Sequence, residues 1–195
     1  DPTLRFRRDA VPHEQVLSGV GDLHIEVVLD KLHRRFGVEA VTTVPKLAYK
    51  ETIKGSAKDV QGKYKKQTGG RGQYGDAVID LEPLARGGNF EFVDKIVGGS
   101  IPRNFIPAVE KGIREALEGG ILTSHPTVDV RVTLKDGSFH PVDSSEMAFK
   151  IAGSMAIKKA FGEANPILLE PIYNLEVVVP EANMGDGMGD LSGKR

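Results

Sequence analysis

Residues 127–160 read TVDVRVTLKDGSFHPVDSSEMAFKIAGSMAIKKA and predict a strand, a turn and a helix in that order. Apolar and polar side chains alternate at the start of this stretch, which is typical of a half-buried strand over 127–134. The Lys-Asp-Gly sequence at 135–137 predicts the turn that follows the strand. This stretch therefore predicts one strand of a sheet and a helix that returns along it.

The helix has a clear start signal. Asp143 is followed three residues later by Glu146, which matches the capping box, where both side chains bond to free backbone N–H groups. We therefore interpret Asp143 as a helix cap rather than as part of a hydrolytic triad with His140 and the adjacent serines. A small-residue face favours close packing of this helix, and it comprises Met147, Ile151 and Met155 with Ala148, Ala152, Ala156 and Ala160 beside them. Pro166 ends the helix.

Apolar stripes predict two further helices. One begins at Asp22 and ends near Gly37, flanked by short strands at 15–17 and 38–43 in a unit too small to fold alone. The other begins at the cap residue Asn104 and ends before Gly119. Apolar and alternating runs predict the remaining strands over 47–53, 58–66, 74–84, 90–97 and 168–179, and a last helix near 180–183.

The composition excludes several classes of function. The 195 residues carry 26 Lys and Arg against 27 Asp and Glu, so the net charge of −1 gives no global attraction to a polyanion. Cysteine is absent, which excludes disulfides, thiol catalysis and cysteine-based metal sites. None of the five histidines pair at the i, i+4 spacing of a helical metal site, so no metal is expected. No apolar stretch is long enough for a membrane span, and we expect a soluble, cytoplasmic chain without a membrane partner.

A basic, glycine-rich segment is the densest polar feature. From Lys50 to Arg71 seven cations stand against two anions, and QTGGRGQYG spans 67–75. Exposed backbone N–H groups, a guanidinium and amide side chains suit contacts with phosphates and bases. Composition alone leaves two interpretations open, a nucleic-acid contact and a solvated strand with a flexible glycine hairpin. The GxGxxG pattern inside this segment is a weak dinucleotide-site match, because a strand is predicted where such a site needs a helix.

Three stretches, taken in order, resemble translation elongation factor G. They are LSGVGDLHIE at 17–26, QTGGRGQYG at 67–75 and DGSFHPVDSSEMAFK at 136–150. Further matching stretches at 48–53, 101–109 and 169–172 extend the resemblance over essentially the whole chain.

The resemblance implies an α+β fold built around a two-layer α/β domain. This domain, over 46–166, is expected to have the left-handed βαβ crossover of elongation factor G domain IV, which is similar to domain 2 of a small-subunit ribosomal protein. Partial ferredoxin-like pieces are expected on either side, with the second half of domain III over 1–45 and the start of domain V over 167–195. The GTPase domain is expected to precede Asp1, so GTP and Mg²⁺ would bind there and this chain would have neither a cofactor nor catalytic residues.

The resemblance also implies a role in translocation. Domain IV of the family is an arm whose tip enters the decoding site, with the ribosome, ribosomal RNA, the tRNA anticodon stem-loop and mRNA as partners of a monomeric protein. Residues expected to contact RNA are Lys65, Lys66, Gln67, Thr68, Gly69, Gly70, Arg71, Gly72, Gln73 and His140. Residues expected to support the tip are Asp143, Ser144, Ser145 and Glu146.

Some residues depart from the family pattern. Asp76 stands where typical members have His, and Pro141 follows the tip histidine where an acidic residue is usual. Three functions of the parent protein therefore stay possible: the main translocase, an elongation factor G-like paralogue or a recycling relative. Two other classes also stay open: a small-molecule kinase-like enzyme that uses residues 69–75 as a phosphate loop, and an RNA-binding module independent of the ribosome.

Overall fold

The computed structural model describes residues 1–8, 15–44, 47–67, 70, 72–174 and 176–194. The strands in these residues are β1 (Arg5–Arg8), β2 (Gln15–Ser18), β3 (Lys50–Ile53), β4 (Ala57–Lys66), β5 (Gln73–Pro83), β6 (Phe90–Asp94), β7 (Val130–Ser138) and β8 (Pro166–Leu169). The helices are α1 (Asp22–Phe36), α2 (Ile106–Glu118), α3 (Glu146–Glu163) and α4 (Met184–Gly193). Single 3₁₀ turns, Arg103–Phe105 and Glu181–Asn183, precede α2 and α4. No helix in the described part of the chain is both long and apolar enough to cross a bilayer.

The central sheet has four strands in the order β4–β5–β7–β6. The pairs β4–β5 and β5–β7 are antiparallel, whereas β6 and β7 run parallel. Parallel neighbours require a crossover connection, and α2 supplies it between β6 and β7. Two small antiparallel sheets, β1–β2 and β3–β8, complete the described strands. The α+β class with a βαβ crossover, predicted from the resemblance, is confirmed.

One buried core lies between the central sheet and the helices α2 and α3. Phe105 and Phe149 stack with ring centroids 4.9 Å apart, which packs the start of α2 against the first turn of α3. β5 begins and β7 ends at the end of the domain where α3 begins, and we call this end the tip. The largest fully buried side chains include Ile79, Leu81, Ile101, Ile113, Val130, Val132, Leu134, Phe149 and Phe161.

Helix α3 sits unusually close to its neighbours. A Cβ at Gly62 of β4 would lie 2.3 Å from the carbonyl oxygen of Ala152, and one at Gly112 of α2 would lie 2.0 Å from that of Lys150. The predicted close packing of α3 is therefore confirmed, and its four alanines at 148, 152, 156 and 160 are buried. Met147 and Met155 do not share this face, because they are 59% and 44% exposed.

The predicted turn at 135–137 is wrong, because β7 continues through it to Ser138. The pairing shifts register there: Val78 of β5 lies opposite Asp136, whereas Ile79 lies opposite Leu134. Lys135 is thus the extra residue of a β-bulge, which the local sequence pattern does not reveal. Its ammonium group bonds to Asp59 at 2.6 Å, and this hydrogen bond raises the pKa of Lys135.

The ends of the chain also differ from the predictions. Residues 38–43 form no strand, because within the described residues their backbone has no strand to pair with. The last predicted strand, 168–179, is reduced to β8, which ends at Leu169 after its pairing with β3. Asn104 does not cap α2 but lies inside the 3₁₀ turn, and the cap position is Phe105.

A buried carboxylate anchors the connection between α2 and β7. Glu51 of β3 is fully buried and accepts backbone hydrogen bonds from Ile121 (2.8 Å), Leu122 (2.9 Å), Thr123 (2.6 Å) and His125 (3.2 Å). Burial raises the pKa of Glu51, but the backbone N–H donors together lower it below its ordinary value. This carboxylate therefore remains ionised in the folded protein and fixes the connection to β3.

Candidate nucleic-acid interface

Two segments far apart in sequence meet at the tip. The backbone N–H of Tyr74, in the second residue of β5, donates to the carbonyl oxygen of Asp143 at 2.9 Å. Tyr74 also forms an isolated parallel bridge with Ser144. The glycine-rich segment before β5 and the turn between β7 and α3 are therefore parts of one surface.

Asp143 joins the two segments instead of capping the helix. Ser145 is the N-cap of α3, and its side chain accepts from the backbone N–H of Ala148 at 3.2 Å. The interpretation of Asp143 as the cap is therefore wrong. Its Oδ1 accepts from the backbone N–H of Gly72 at 3.0 Å. A Cβ at Gly72 would lie 2.8 Å from Oδ2 of Asp143, so only glycine leaves this carboxylate in place.

Ser144 forms a second connection between the same segments. Its hydroxyl accepts from the backbone N–H of His140 at 2.9 Å and donates to the carbonyl oxygen of Tyr74 at 2.9 Å. The backbone N–H of Ser144 in turn donates to the carbonyl oxygen of His140 at 3.1 Å. These bonds close the turn at 140–144 and hold it against β5.

The His140 side chain is 52% exposed, and one edge of its ring faces the backbone of the turn. Its Nδ1 accepts from the backbone N–H groups of Val142 (3.3 Å) and Asp143 (3.2 Å) and lies 3.5 Å from Oδ2 of Asp143. The imidazole also lies beside the Tyr74 ring, with centroids 6.4 Å apart and planes tilted by 58°. His140 therefore belongs to the same constellation as Asp143 and Tyr74.

A series of side-chain hydrogen bonds holds the hydroxyl group of Tyr74 in place. The hydroxyls of Tyr74 and Ser138 are 2.6 Å apart, and Ser138 donates to Asp76 at 2.7 Å. The other carboxylate oxygen of Asp76 accepts from the Gln61 amide at 2.8 Å. Asp76 is only 5% exposed, so its departure from the family pattern has a structural role in bracing Tyr74. The sequence alone did not predict this brace of hydrogen bonds, whose members come from three strands.

Three lysines of β4 lie near the start of β5, and none of them forms an ion pair with an acid of the described residues. The Lys63 ammonium lies 5.7 Å from the centroid of the Tyr74 ring, a cation–π contact on the exposed sheet face. Lys65 and Lys66 end β4 with exposed side chains, and neither pairs with an acid among the described residues. This part of the tip therefore has positive charge that no acid among the described residues pairs with.

The remaining predicted site residues divide into three groups. Gln67 and Gly70 are exposed, and the Gln73 amide oxygen accepts from the Tyr64 hydroxyl at 2.9 Å. Glu146 is exposed in the first turn of α3, where an acid complements the helix dipole. Thr68, Gly69 and Arg71 lie outside the described residues.

The segment with the GxGxxG pattern does not have the geometry of a dinucleotide site. The residues after the GxGxxG pattern form β5, so no helix begins there to receive a pyrophosphate. Among the described residues, no cluster of three or more His, Asp or Glu side chains could hold a metal. The described part of the tip is instead suited to hydrogen bonding and charge contacts with an extended polyanion.

The chain is similar to proteins of known family and structure. The family model "Elongation factor G, domain IV" matches residues 45–165, and "Elongation Factor G, domain III" matches residues 1–44. A crystal structure of a protein from Thermus thermophilus superimposes with a TM-score of 0.86 at 45% sequence identity. That match covers 100% of this chain but only 29% of the solved chain, so these residues span less than a third of its length.

Proposed function

The chain belongs to the elongation factor G family, and we propose that its domain IV is the arm of a ribosomal translocase. In this role the tip contacts the tRNA anticodon stem-loop and the mRNA in the decoding site, next to ribosomal RNA. The arm then prevents the codon–anticodon duplex from slipping back while the small subunit moves.

One observation supports this proposal above the others. Asp143 and Ser144 join the segment before β5 to the turn with His140, so two segments 71 residues apart form a single surface. Lys65 and Lys66 are exposed at the end of β4, paired across the sheet with Tyr74 and Gln73, and Tyr74 lies beside the half-exposed imidazole. A joined surface with free cations and directional hydrogen-bonding groups suits RNA better than it suits a small substrate.

The proposed contacts are made to shape and backbone. Every codon passes through the decoding site, so a translocase gains nothing from base-edge recognition of one sequence. Lys65 and Lys66 attract phosphates through charge, and glycines before β5 allow the RNA backbone to come close. Gln73 and His140 add directional hydrogen bonds to this general attraction.

Nucleotide chemistry is not part of the proposed role of these residues. The matched family domains are III and IV, and the chain spans 29% of the solved chain that it resembles. We propose that GTP and Mg²⁺ bind in other domains of the whole translocase, whose rearrangement positions the arm.

Co-sedimentation of the chain with ribosomes at graded salt tests the proposal. The double variant Lys65→Glu/Lys66→Glu reverses the free charge at the tip and should weaken binding. Each lost phosphate contact lowers the slope of the logarithm of the binding constant against the logarithm of the salt concentration by about one. The affinity of the variant should therefore also depend less on salt.

A matched control makes the same charge change away from the tip. Lys158 and Lys159 are exposed near the end of α3, so Lys158→Glu/Lys159→Glu should bind nearly as well as the wild type. Equal weakening by both double variants would mean that net charge, and not the tip, determines binding. Saturable binding that neither variant weakens would refute the tip assignment.

A further inference from the structure

The His140 imidazole has two unlike edges. Its Nδ1 edge faces the turn, where the backbone N–H groups of Val142 and Asp143 donate to it at 3.3 and 3.2 Å. Its Nε2 has no hydrogen-bond partner among the residues that the structure describes. With 52% of the side chain exposed, Nε2 is the nitrogen available to a ligand.

The two backbone donors determine where the ring proton lies. A neutral imidazole has one N–H donor and one lone-pair acceptor, and the partner of one nitrogen fixes the role of the other. Two N–H groups that converge on Nδ1 require a lone pair there. The proton of neutral His140 therefore resides on Nε2.

Asp143 does not reverse this assignment. Its Oδ2 is 3.5 Å from Nδ1, longer than a normal hydrogen bond, while its Oδ1 is already bonded to the Gly72 N–H. A proton on Nδ1 would also point at the two backbone N–H groups at 3.2 and 3.3 Å. The main effect of Asp143 is thus to hold the turn, and with it the imidazole, in position.

We propose that His140 acts as a preorganised donor, which offers Nε2–H to a hydrogen-bond acceptor on RNA. The acceptor class comprises phosphate oxygens, ribose oxygens and base carbonyls, and this assignment of a ligand rests on the function proposed above. His140 then differs in kind from Lys65 and Lys66, because its contribution does not come from counterion release.

Long-range ¹H–¹⁵N NMR spectra of the full, ¹⁵N-labelled chain test the tautomer directly. The His140 signals are assigned by their loss in His140→Ala. At a pH where the ring is neutral, we expect the nitrogen shift of an unprotonated Nδ1 and of a protonated Nε2. The reverse pattern, or rapid averaging of the two tautomers, would overturn the inference whether or not the chain binds ribosomes.

Two substitutions test the donor in binding. In His140→Gln the amide nitrogen reaches the Nε2 position, whereas in His140→Asn an oxygen at the Nδ1 position keeps the turn bonds without an outward donor. We expect His140→Asn to lower ribosome affinity about 3- to 10-fold, the usual worth of one hydrogen bond, and His140→Gln to lower it less. The fold-loss for His140→Asn should be the same at low and high salt.

The outcomes separate this inference from the proposed function. A greater loss for His140→Gln than for His140→Asn, or no loss for either, would overturn the donor role even if Lys65→Glu/Lys66→Glu still weakens binding. A loss for His140→Asn that disappears at high salt would also overturn it, because the imidazole would then act through charge. Absence of any ribosome binding by the wild type would count against the proposed function, and the NMR result would still decide the tautomer.

Discussion

The Asp143 carboxylate accepts a hydrogen bond from the backbone N–H of Gly72 at 3.0 Å, across 71 residues of sequence. This bond joins the segment before β5 to the turn between β7 and α3. Together with the Tyr74 N–H to Asp143 carbonyl bond of 2.9 Å, it makes one surface from two segments.

Asp143→Ala should loosen the tip without unfolding the domain. Gly72 would lose its acceptor, and one hydrogen bond of this kind contributes about 1 kcal/mol to the free energy of unfolding. Amide hydrogen exchange of Gly72 should therefore accelerate, while exchange in the buried strands β5 and β7 changes little. Asp143→Asn keeps an acceptor oxygen and is the control. Unchanged Gly72 exchange in Asp143→Ala would contradict the junction.

Asp76→Ala should break the brace of Tyr74, which is the series of hydrogen bonds through Ser138, Asp76 and Gln61. The Gln61 amide and the Ser138 hydroxyl would both lose a buried acceptor, at a cost of about 1–3 kcal/mol in the free energy of unfolding. Urea unfolding measures this loss. The exposed Asp94→Ala serves as a comparison. It should cost less, because among the described residues the Asp94 side chain bonds only to the nearby Ile96 N–H. A smaller loss for Asp76→Ala than for Asp94→Ala would refute the brace.

Glu51→Gln should destabilise the domain by about 2 kcal/mol at neutral pH, because an amide replaces a buried charged acceptor. The pKa of Glu51 is lowered in the folded state, so its carboxylate stabilises the fold at pH values above the pKa of the unfolded chain. That stabilisation disappears as the pH falls through the lower, folded-state pKa.

Urea unfolding of both proteins in steps from pH 7 downwards checks the sign. The stability difference between the wild type and Glu51→Gln should be constant near neutrality and shrink in the acid range below about pH 4.3, the ordinary Glu pKa. A difference that stays the same across this range would contradict the role of the ionised carboxylate.

Gly62→Ala should destabilise the contact of β4 with α3. Its Cβ would lie 2.3 Å from the Ala152 carbonyl oxygen, and such overpacking costs about 1–3 kcal/mol. Gly162→Ala makes the same chemical change in α3 at a position with nothing within 4 Å, so it should stabilise the helix by up to about 1 kcal/mol. Thermal melting distinguishes the two variants. Equal shifts in the same direction would refute the close approach.

The sequence predicts the helices and strands better than it predicts the contacts that join them. The strand and helix patterns around β4, β5, α2 and α3 are local, and the structure confirms them with shifts of a few residues. The capping box at 143–146 is also a local pattern, but the partner of Asp143 is Gly72, which only the assembled sheet brings near. A sequence pattern within one helix cannot predict a hydrogen-bond partner that lies 71 residues away.

The same limit explains the errors in β7 and at the chain ends. Lys-Asp-Gly is a turn signal by composition, yet pairing with β5 continues past a bulge at Lys135, where Asp59 receives the ammonium group. Residues 38–43 have strand-like composition, but a strand needs a pairing partner, and the described sheet offers none. In each case the outcome depends on neighbours distant in sequence.

Cleavage of ribosomal RNA from a probe at the tip tests the central claim most directly. The chain has no cysteine, so Val142→Cys, at a 58% exposed position in the His140 turn, carries a single iron chelate for hydroxyl-radical cleavage. Ile172→Cys, at a 97% exposed position beyond β8 and far from the turn in sequence, is the matched control. We predict that chains bound to ribosomes cleave small-subunit RNA around the decoding site from position 142 and not from position 172. Bound chains that cleave the decoding site equally from both positions, or not at all from position 142, would contradict the account.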